Sequence, residues 1–411
     1  MVDIKKTDGG VCAAEGFSAA GFYCGIKESI TRKRDLAFIK SDVMAKAGGV
    51  FTTNKFAAAP VEWCREVIKG GEAQAIFANS GNANACTGET GKKNVDKTLD
   101  LVAHYSRLPK DKILVCSTGV IGVQLPMSML SGGVPSVIAD LSPLALGSEH
   151  AADAIATTDT YIKEYAVEYE FDGKTVHVGG IAKGSGMIHP NMATMLCFIT
   201  TDLKLSSEAV QTACKAVADD TFNMITVDGD TSTNDTMLVL ANGMVGNDEI
   251  NCGDEGYAEF VEALYEVAKN LAKMMASDGE GATKALECHV DGAKTKADAR
   301  KAAKAVIDSS LVKAAFFGED ANWGRIICAV GYSGAEFDPA KVELWLESEN
   351  GKIQLMADGG GLEFDEDIAA EVLKAKEIRI LIDLHDGEAS AIGWGCDLSY
   401  DYVKINADYR S

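Results

Sequence analysis

The run Met195-Leu-Cys-Phe-Ile199 constrains the fold more than any other stretch of this chain. It is an unbroken apolar segment of strand length, with no polar face. A strand apolar on both faces has to be covered on both faces. That demands layers, so we expect an α/β protein with sheets packed together inside and helices outside. Immediately upstream, Lys183-Gly-Ser-Gly-Met-Ile-His-Pro-Asn-Met-Ala-Thr194 is Gly-rich and carries a single lysine. Thr194 stands at the junction, preceded by the small Ala193.

The rest of the chain alternates strand and helix signals. Strands are expected at Ala37–Ile39, Val50–Phe51, Ala73–Phe77, Ile113–Cys116, Met237–Ala241, Ile326–Val330, Val342–Leu346, Ile378–Ile382 and Val403–Ile405. Apolar residues at helical spacing predict helices around Val95–Ala103, Ala151–Thr160, Leu203–Asp219, Ala258–Ala276, Asp298–Phe316 and Ile368–Leu373. Ser206 or Ser207 is placed to cap the third of these. The stretch Ala78-Asn-Ser-Gly-Asn-Ala-Asn-Ala-Cys-Thr-Gly88 is too rich in Asn and Gly for an element interior and reads as a loop, either a turn or a wall of a site. No fixed-period repeat and no low-complexity linker divides the chain.

Composition excludes several roles. A net charge of −22 over 411 residues repels phosphate backbones and anionic membranes, so nucleic acid and membrane partners are not expected. An acidic small substrate would need its own local cation. No apolar run reaches the ~20 residues of a bilayer span. The first residues lack the shape of a signal peptide, so the cytoplasm is expected. The eleven cysteines are scattered singly, without C-x-x-C or zinc spacing, and read as reduced and mostly buried. Asp383-Leu-His385-Asp386 reads as a strand end and its turn, and no metal site is expected.

The common catalytic signatures are absent: no phosphate-binding G-x-x-x-x-G-K-[ST], no G-x-S-x-G elbow, no H-E-x-x-H. Thr194 then has two readings. It is a strand-start threonine that satisfies nearby backbone groups, or it is an N-terminal nucleophile. In the second reading its hydroxyl attacks the carbonyl of Ala193, and an N-to-O acyl shift with hydrolysis cuts the chain. The freed α-amine, with an ordinary pKa of about 7.7–8.0, then serves as base for its own hydroxyl. The chemistry needs a small preceding residue, a loop able to strain, and donors for an oxyanion. Ser117-Thr-Gly119, at the end of a strand, is either an ordinary turn or the source of those donors.

Segments along essentially the whole chain resemble one family. The run from Lys183 to Leu196 is similar to the cleavage segment of the ornithine acetyltransferases, the glutamate N-acetyltransferases of arginine biosynthesis. Gly16-Phe17, Gly25-Ile-Lys27, Asn79 to Ala85, Ser117 to Gly122, Thr157-Thr-Asp159, Val227 to Asp235, Asp278-Gly-Glu-Gly281, Gly318 to Arg325 and Asn406 to Ser411 match in order. The resemblance implies a layered α/β/β/α sandwich of the N-terminal-nucleophile kind. It implies a cut between Ala193 and Thr194, giving pieces 1–193 and 194–411 intertwined in one catalytic unit, assembled as α2β2. The implied reaction is ping-pong. Thr194 takes acetyl from N-acetylornithine as an ester, releases ornithine and passes the acetyl group to glutamate. Thr118 and Gly119 form the implied oxyanion hole. Thr157, Lys183, Thr194, Glu280, Asn406 and Ser411 match the substrate-contact positions. Ser411 stands where the family usually ends in Thr, and the hydroxyl is kept. No cofactor is implied; one subtype of the family also accepts acetyl-CoA as co-substrate. Two rivals stay open: a self-cleaving aminopeptidase or amidase that passes the acyl group to water, and an uncut binding protein for acidic metabolites.

Overall fold

Every residue of the strand Leu196–Thr201 is buried, the apolar run through Ile199 together with the two threonines that follow it. The computed structural model describes residues 3–27, 33–189 and 195–408. The first sheet contains β1 (Lys5–Thr7), β2 (Phe17–Phe22), β3 (Leu36–Phe51), β4 (Glu72–Asn82), β5 (Ile113–Val120), β6 (Lys163–Phe171), β7 (Lys174–Lys183), β8 (Leu196–Thr201) and β9 (Thr236–Ala241). The second contains β10 (Ala285–Ala293), β11 (Glu343–Ser348), β12 (Gly351–Ala357), β13 (Gly360–Gly361), β14 (Glu377–Asp383) and β15 (Ala389–Cys396). The helices are α1 (Ala59–Lys69), α2 (Gly88–Ser106), α3 (Met127–Ala139), α4 (Ala145–Ile155), α5 (Ser207–Asp220), α6 (Tyr257–Ser277), α7 (Lys296–Asp308), α8 (Ser310–Phe317), α9 (Trp323–Tyr332), α10 (Glu366–Leu373) and α11 (Tyr400–Asp408).

The first sheet runs β1-β6-β7-β8-β9-β3-β4-β5, with β2 paired to β3. β8 is therefore central. Its Leu196 and Phe198 pack with Ala151, Ala152 and Ile155 of α4 on one face. Its Cys197 and Ile199 face the larger core, with Ala213 and Val217 of α5 and Leu264 and Leu271 of α6. Alternate residues of a strand point to opposite faces, so both covers are explained by one apolar run. Helix α6 touches β6 and β7 of the first sheet and β15 of the second, while α7 packs on β10 and β15. The protein is a layered mixed α/β fold with two sheets, as its sequence implies. No helix among the described residues is long and apolar enough to cross a membrane. The eleven cysteines are unpaired, and Cys64, Cys116, Cys197, Cys214, Cys288 and Cys396 are buried.

Several local expectations are corrected. The Asn-rich stretch after Phe77 is not all loop: β4 continues to Asn82, in parallel register with β5. Its polar side chains are satisfied internally, since Asn79 donates to the Asn82 carbonyl at 2.8 Å and accepts from the Ser117 hydroxyl at 2.6 Å. Ile326–Val330 is helical rather than extended. Ile326, Ala329 and Val330 are buried while Cys328 is exposed, a one-sided period that a short apolar run conceals. Val403–Ile405 lies in α11, where the Ser399 hydroxyl accepts from the N–H groups of Asp401 and Tyr402. The helix expected over Asp298–Phe316 is two, broken at Ser309, whose side chain caps the second. The hairpin β6–β7 turns at Asp172-Gly173, both at positive φ, a dipeptide that signals such turns.

Candidate active site

One pocket gathers the expected site residues. Thr118, Gly119, Thr157, Lys183, Glu280 and Asn406 all line it. Ala193, Thr194 and Ser411 lie outside the described residues. The pocket forms where the ends of β5 and β7 meet the loops before β6, β9 and β10.

Thr118 and Gly119 come from the end of β5, opposite Ser80 and Gly81 of β4. Gly119 has φ +131°, and a Cβ there would stand 2.4 Å from the Gly81 carbonyl carbon and 2.6 Å from the Asn82 nitrogen. Only glycine fits this close backbone approach. Asn234 straps the same edge: its amide donates to the carbonyls of Ser117 at 2.8 Å and Ala83 at 2.6 Å. The main chain that presents Thr118 is thereby fixed.

Lys183 ends β7 and is 3% exposed. Its strand partner is Leu196, which stands two positions after Thr194 in the chain. The sheet thus brings the chain to within two residues of the expected nucleophile beside this lysine. The Lys183 ammonium has no hydrogen-bond partner among the described residues. Burial pushes its pKa down; the charge of Asp159 works against that, and neighbouring Lys163 adds to the lowering. Glu280 reaches the pocket from the loop after α6. Its N–H donates to the Ser185 carbonyl at 2.9 Å, and its carboxylate accepts from the Asn406 amide at 2.8 Å. Thr157 donates its N–H to Asp159 at 2.9 Å.

The loop 225–235 holds the main chain at Met187 and Ile188 and again at Met195. Asp228 accepts from the N–H groups of Met187 at 2.6 Å and Ile188 at 2.8 Å. Asp235 accepts from the Met195 N–H at 2.7 Å. Met187 sits at φ 56°, unusual for a residue with a side chain. The sequence reading gave no role to Asp228, Asp235 or Asn234. Their signal was the polar stretch Thr226–Thr236 set between two apolar runs, visible but without an assignable partner.

A cation, Lys183, and a carboxylate, Glu280, share one cleft with the strand-end residues Thr118 and Gly119. Opposite charges in one cleft can receive a small molecule that carries both a carboxylate and an ammonium group. The chain belongs to the ArgJ family, whose model matches residues 18–411. It is 53% identical over 403 residues to the arginine biosynthesis bifunctional protein ArgJ of Symbiobacterium thermophilum, covering 98% of this chain and 99% of that one. It is 49% identical over 415 residues to the glutamate N-acetyltransferase of Methanocaldococcus jannaschii, covering 99% and 100%. Among solved structures, the ArgJ chain of Bacillus halodurans is 43% identical and covers 52% of this chain and 98% of its own, with a TM-score of 0.49.

Proposed function

We propose that the chain is a glutamate N-acetyltransferase of arginine biosynthesis that moves acetyl from N-acetylornithine to glutamate through an ester on Thr194. The observation that carries this is the buried Lys183 ammonium, which faces the pocket and lacks a partner among the described residues. In a protein of net charge −22 it is the local cation that a substrate α-carboxylate requires. Glu280 supplies the opposite charge, suited to an ammonium such as that of the ornithine side chain.

The steps balance without a cofactor. The Thr194 hydroxyl oxygen attacks the acetyl carbon of N-acetylornithine, and its proton passes to the Thr194 α-amine. The Gly119 N–H and the Thr118 hydroxyl receive the oxyanion. The C–N bond breaks, and ornithine leaves with the proton from the α-ammonium. The glutamate amine then attacks the ester carbon, its C–O bond breaks, and Thr194 regains its proton. Thr157, Asn406 and Ser411 complete the substrate contacts. Acetyl-CoA is the candidate second donor to the same ester.

The α-amine becomes available by self-cleavage between Ala193 and Thr194, yielding 1–193 and 194–411. The sheet order supports the two pieces staying together. β8 and β9 of the second piece lie between β7 and β3 of the first, so separation would expose the centre of a sheet. We assign the cleaved protein an α2β2 assembly and, on its unpaired cysteines, a reducing cytoplasm. Intact mass after brief incubation with N-acetylornithine tests the reading. The expected result is two pieces, with one added acetyl group on the piece beginning at Thr194. An uncut, unmodified chain would overturn it, and acetate formed faster than N-acetylglutamate would assign an amidase instead.

A further inference from the structure

A second lysine lies beneath the pocket without touching it. Lys163 opens β6, and its side chain is completely buried. Its ammonium contacts the Asp159 and Asp278 carboxylates, each at 2.6 Å, and their side chains are only 1% and 3% exposed. Each carboxylate is also tied to the wall of the pocket. Asp159 accepts from the N–H groups of Thr157 at 2.9 Å and Gly184 at 2.8 Å. Asp278 accepts from the Thr160 N–H at 3.0 Å and from the Thr160 hydroxyl. The Asp278 carbonyl accepts from the Ser185 hydroxyl at 2.6 Å, and the Ser185 carbonyl from the Glu280 N–H at 2.9 Å. One ammonium thus joins the three segments that carry Thr157, Lys183 and Glu280.

The charges explain why this matters. Two buried carboxylates and two buried ammonium groups share a small volume, and a buried charge demands a partner. Lys163 holds both carboxylates by direct contact. Lys183, next in the chain to Gly184, has no hydrogen bond to either.

We propose that Lys163 is a positioning residue for acetyl transfer: by occupying Asp159 and Asp278 it locks the three pocket segments together and keeps the Lys183 ammonium free for a substrate carboxylate. The inference rests on the substrate-carboxylate role proposed above for Lys183. Neither Asp159 nor Asp278 then acts on substrate; they are anchors whose charge Lys163 takes up. Among the described residues, Asp159, Lys163, Glu280, Asp235 and Lys27 carry charges that reach Lys183.

The test uses the full-length enzyme and glutarate, a dicarboxylate with glutamate's skeleton and no amine, as a competitive inhibitor across pH. Lys163→Met frees Asp159 for Lys183. We expect the glutarate inhibition constant to rise at least about tenfold, with kcat changed far less. The alkaline loss of inhibition moves to higher pH, because Lys183 loses a neighbouring positive charge and gains a carboxylate. Asp159→Asn removes an attraction that helps keep Lys183 charged, so its alkaline limb moves to lower pH. Opposite shifts in two folded variants are not produced by general loosening. Folded Lys163→Met with unchanged glutarate inhibition and an unchanged limb overturns the proposal. If Lys163→Met does not fold, Asp159→Asn decides, and an unmoved limb there overturns it. Lys183→Ala separates the two levels: unchanged glutarate inhibition in that variant overturns the site reading itself, and this inference with it.

Discussion

The Asp235 carboxylate accepts the Met195 N–H at 2.7 Å, one residue after Thr194. Asp235 is fully buried, and burial pushes its pKa up, against the opposing N–H of Met195 and the charge of Lys183. On the other flank Asp228 holds Met187 and Ile188. One segment, Asp228 to Asp235, thus hydrogen-bonds the main chain at Met187 and Ile188 on one side and at Met195 on the other.

The nucleophile is tested first. Thr194→Ala leaves no hydroxyl for either the acyl shift or the ester. Denaturing electrophoresis should show one uncut chain, and transfer from N-acetylornithine to glutamate should be lost. Normal transfer in that variant would end the proposal.

Lys183→Ala removes the buried cation and leaves Asp159 with Lys163 alone. A charge-assisted hydrogen bond contributes about 1.5–3 kcal/mol. The expected effect is a rise in KM of about 10- to 100-fold for substrates with an α-carboxylate. Steady-state kinetics with N-acetylornithine and glutamate read this out.

Gly119→Ala probes the oxyanion-donor role proposed for this residue. The added methyl would meet backbone of Gly81 and Asn82, which cannot turn aside as a side chain would. Displacing one oxyanion donor costs about 100- to 1000-fold in kcat. A kcat close to that of the parent enzyme would remove Gly119 from the chemistry.

A pH effect on stability is expected away from the site. His177 Nδ1 lies 2.9 Å from Asp202, and that hydrogen bond raises the imidazole pKa above 6.5, against partial burial. A raised folded value means that this stabilisation is fully present below about pH 6.5 and is lost as pH rises through the folded pKa. Replacing His177 with Gln should lower Tm by about 1–2 °C at pH 5.5 relative to the parent, with the gap closing by pH 9. A gap constant in pH would mean that the pair contributes nothing through charge.

The site was legible in the sequence to different depths. Thr118, Gly119, Lys183 and Glu280 lie in short polar or Gly-rich motifs, and their resemblance to one family located them. Asp228, Asp235 and Asn234 belong to an equally visible stretch, Val227 to Asp235, yet their parts were not readable. Each acts by hydrogen-bonding main-chain atoms tens or more of residues away, which carry no side-chain signature. Lys163 was harder still, because it starts an ordinary strand and its partners Asp159 and Asp278 sit in two separate motifs.

By itself the sequence determined that β8 must be buried on both faces, since nothing in Met195–Ile199 tolerates water. It also determined the helices α5 and α6, whose apolar stripes repeat at 3.6 residues. It did not decide whether Ile326–Val330 and Val403–Ile405 are strands or helices. A run of three to five residues fits either period, and packing on one side, or a cap such as Ser399, settles it. Nor could it order the sheet. Only the tertiary structure places β8 and β9 between β7 and β3, because strand neighbours are chosen by long-range burial and backbone hydrogen bonding. That choice sets Lys183 beside the strand leading from Thr194, and Asp159, Lys163 and Asp278 together beneath it.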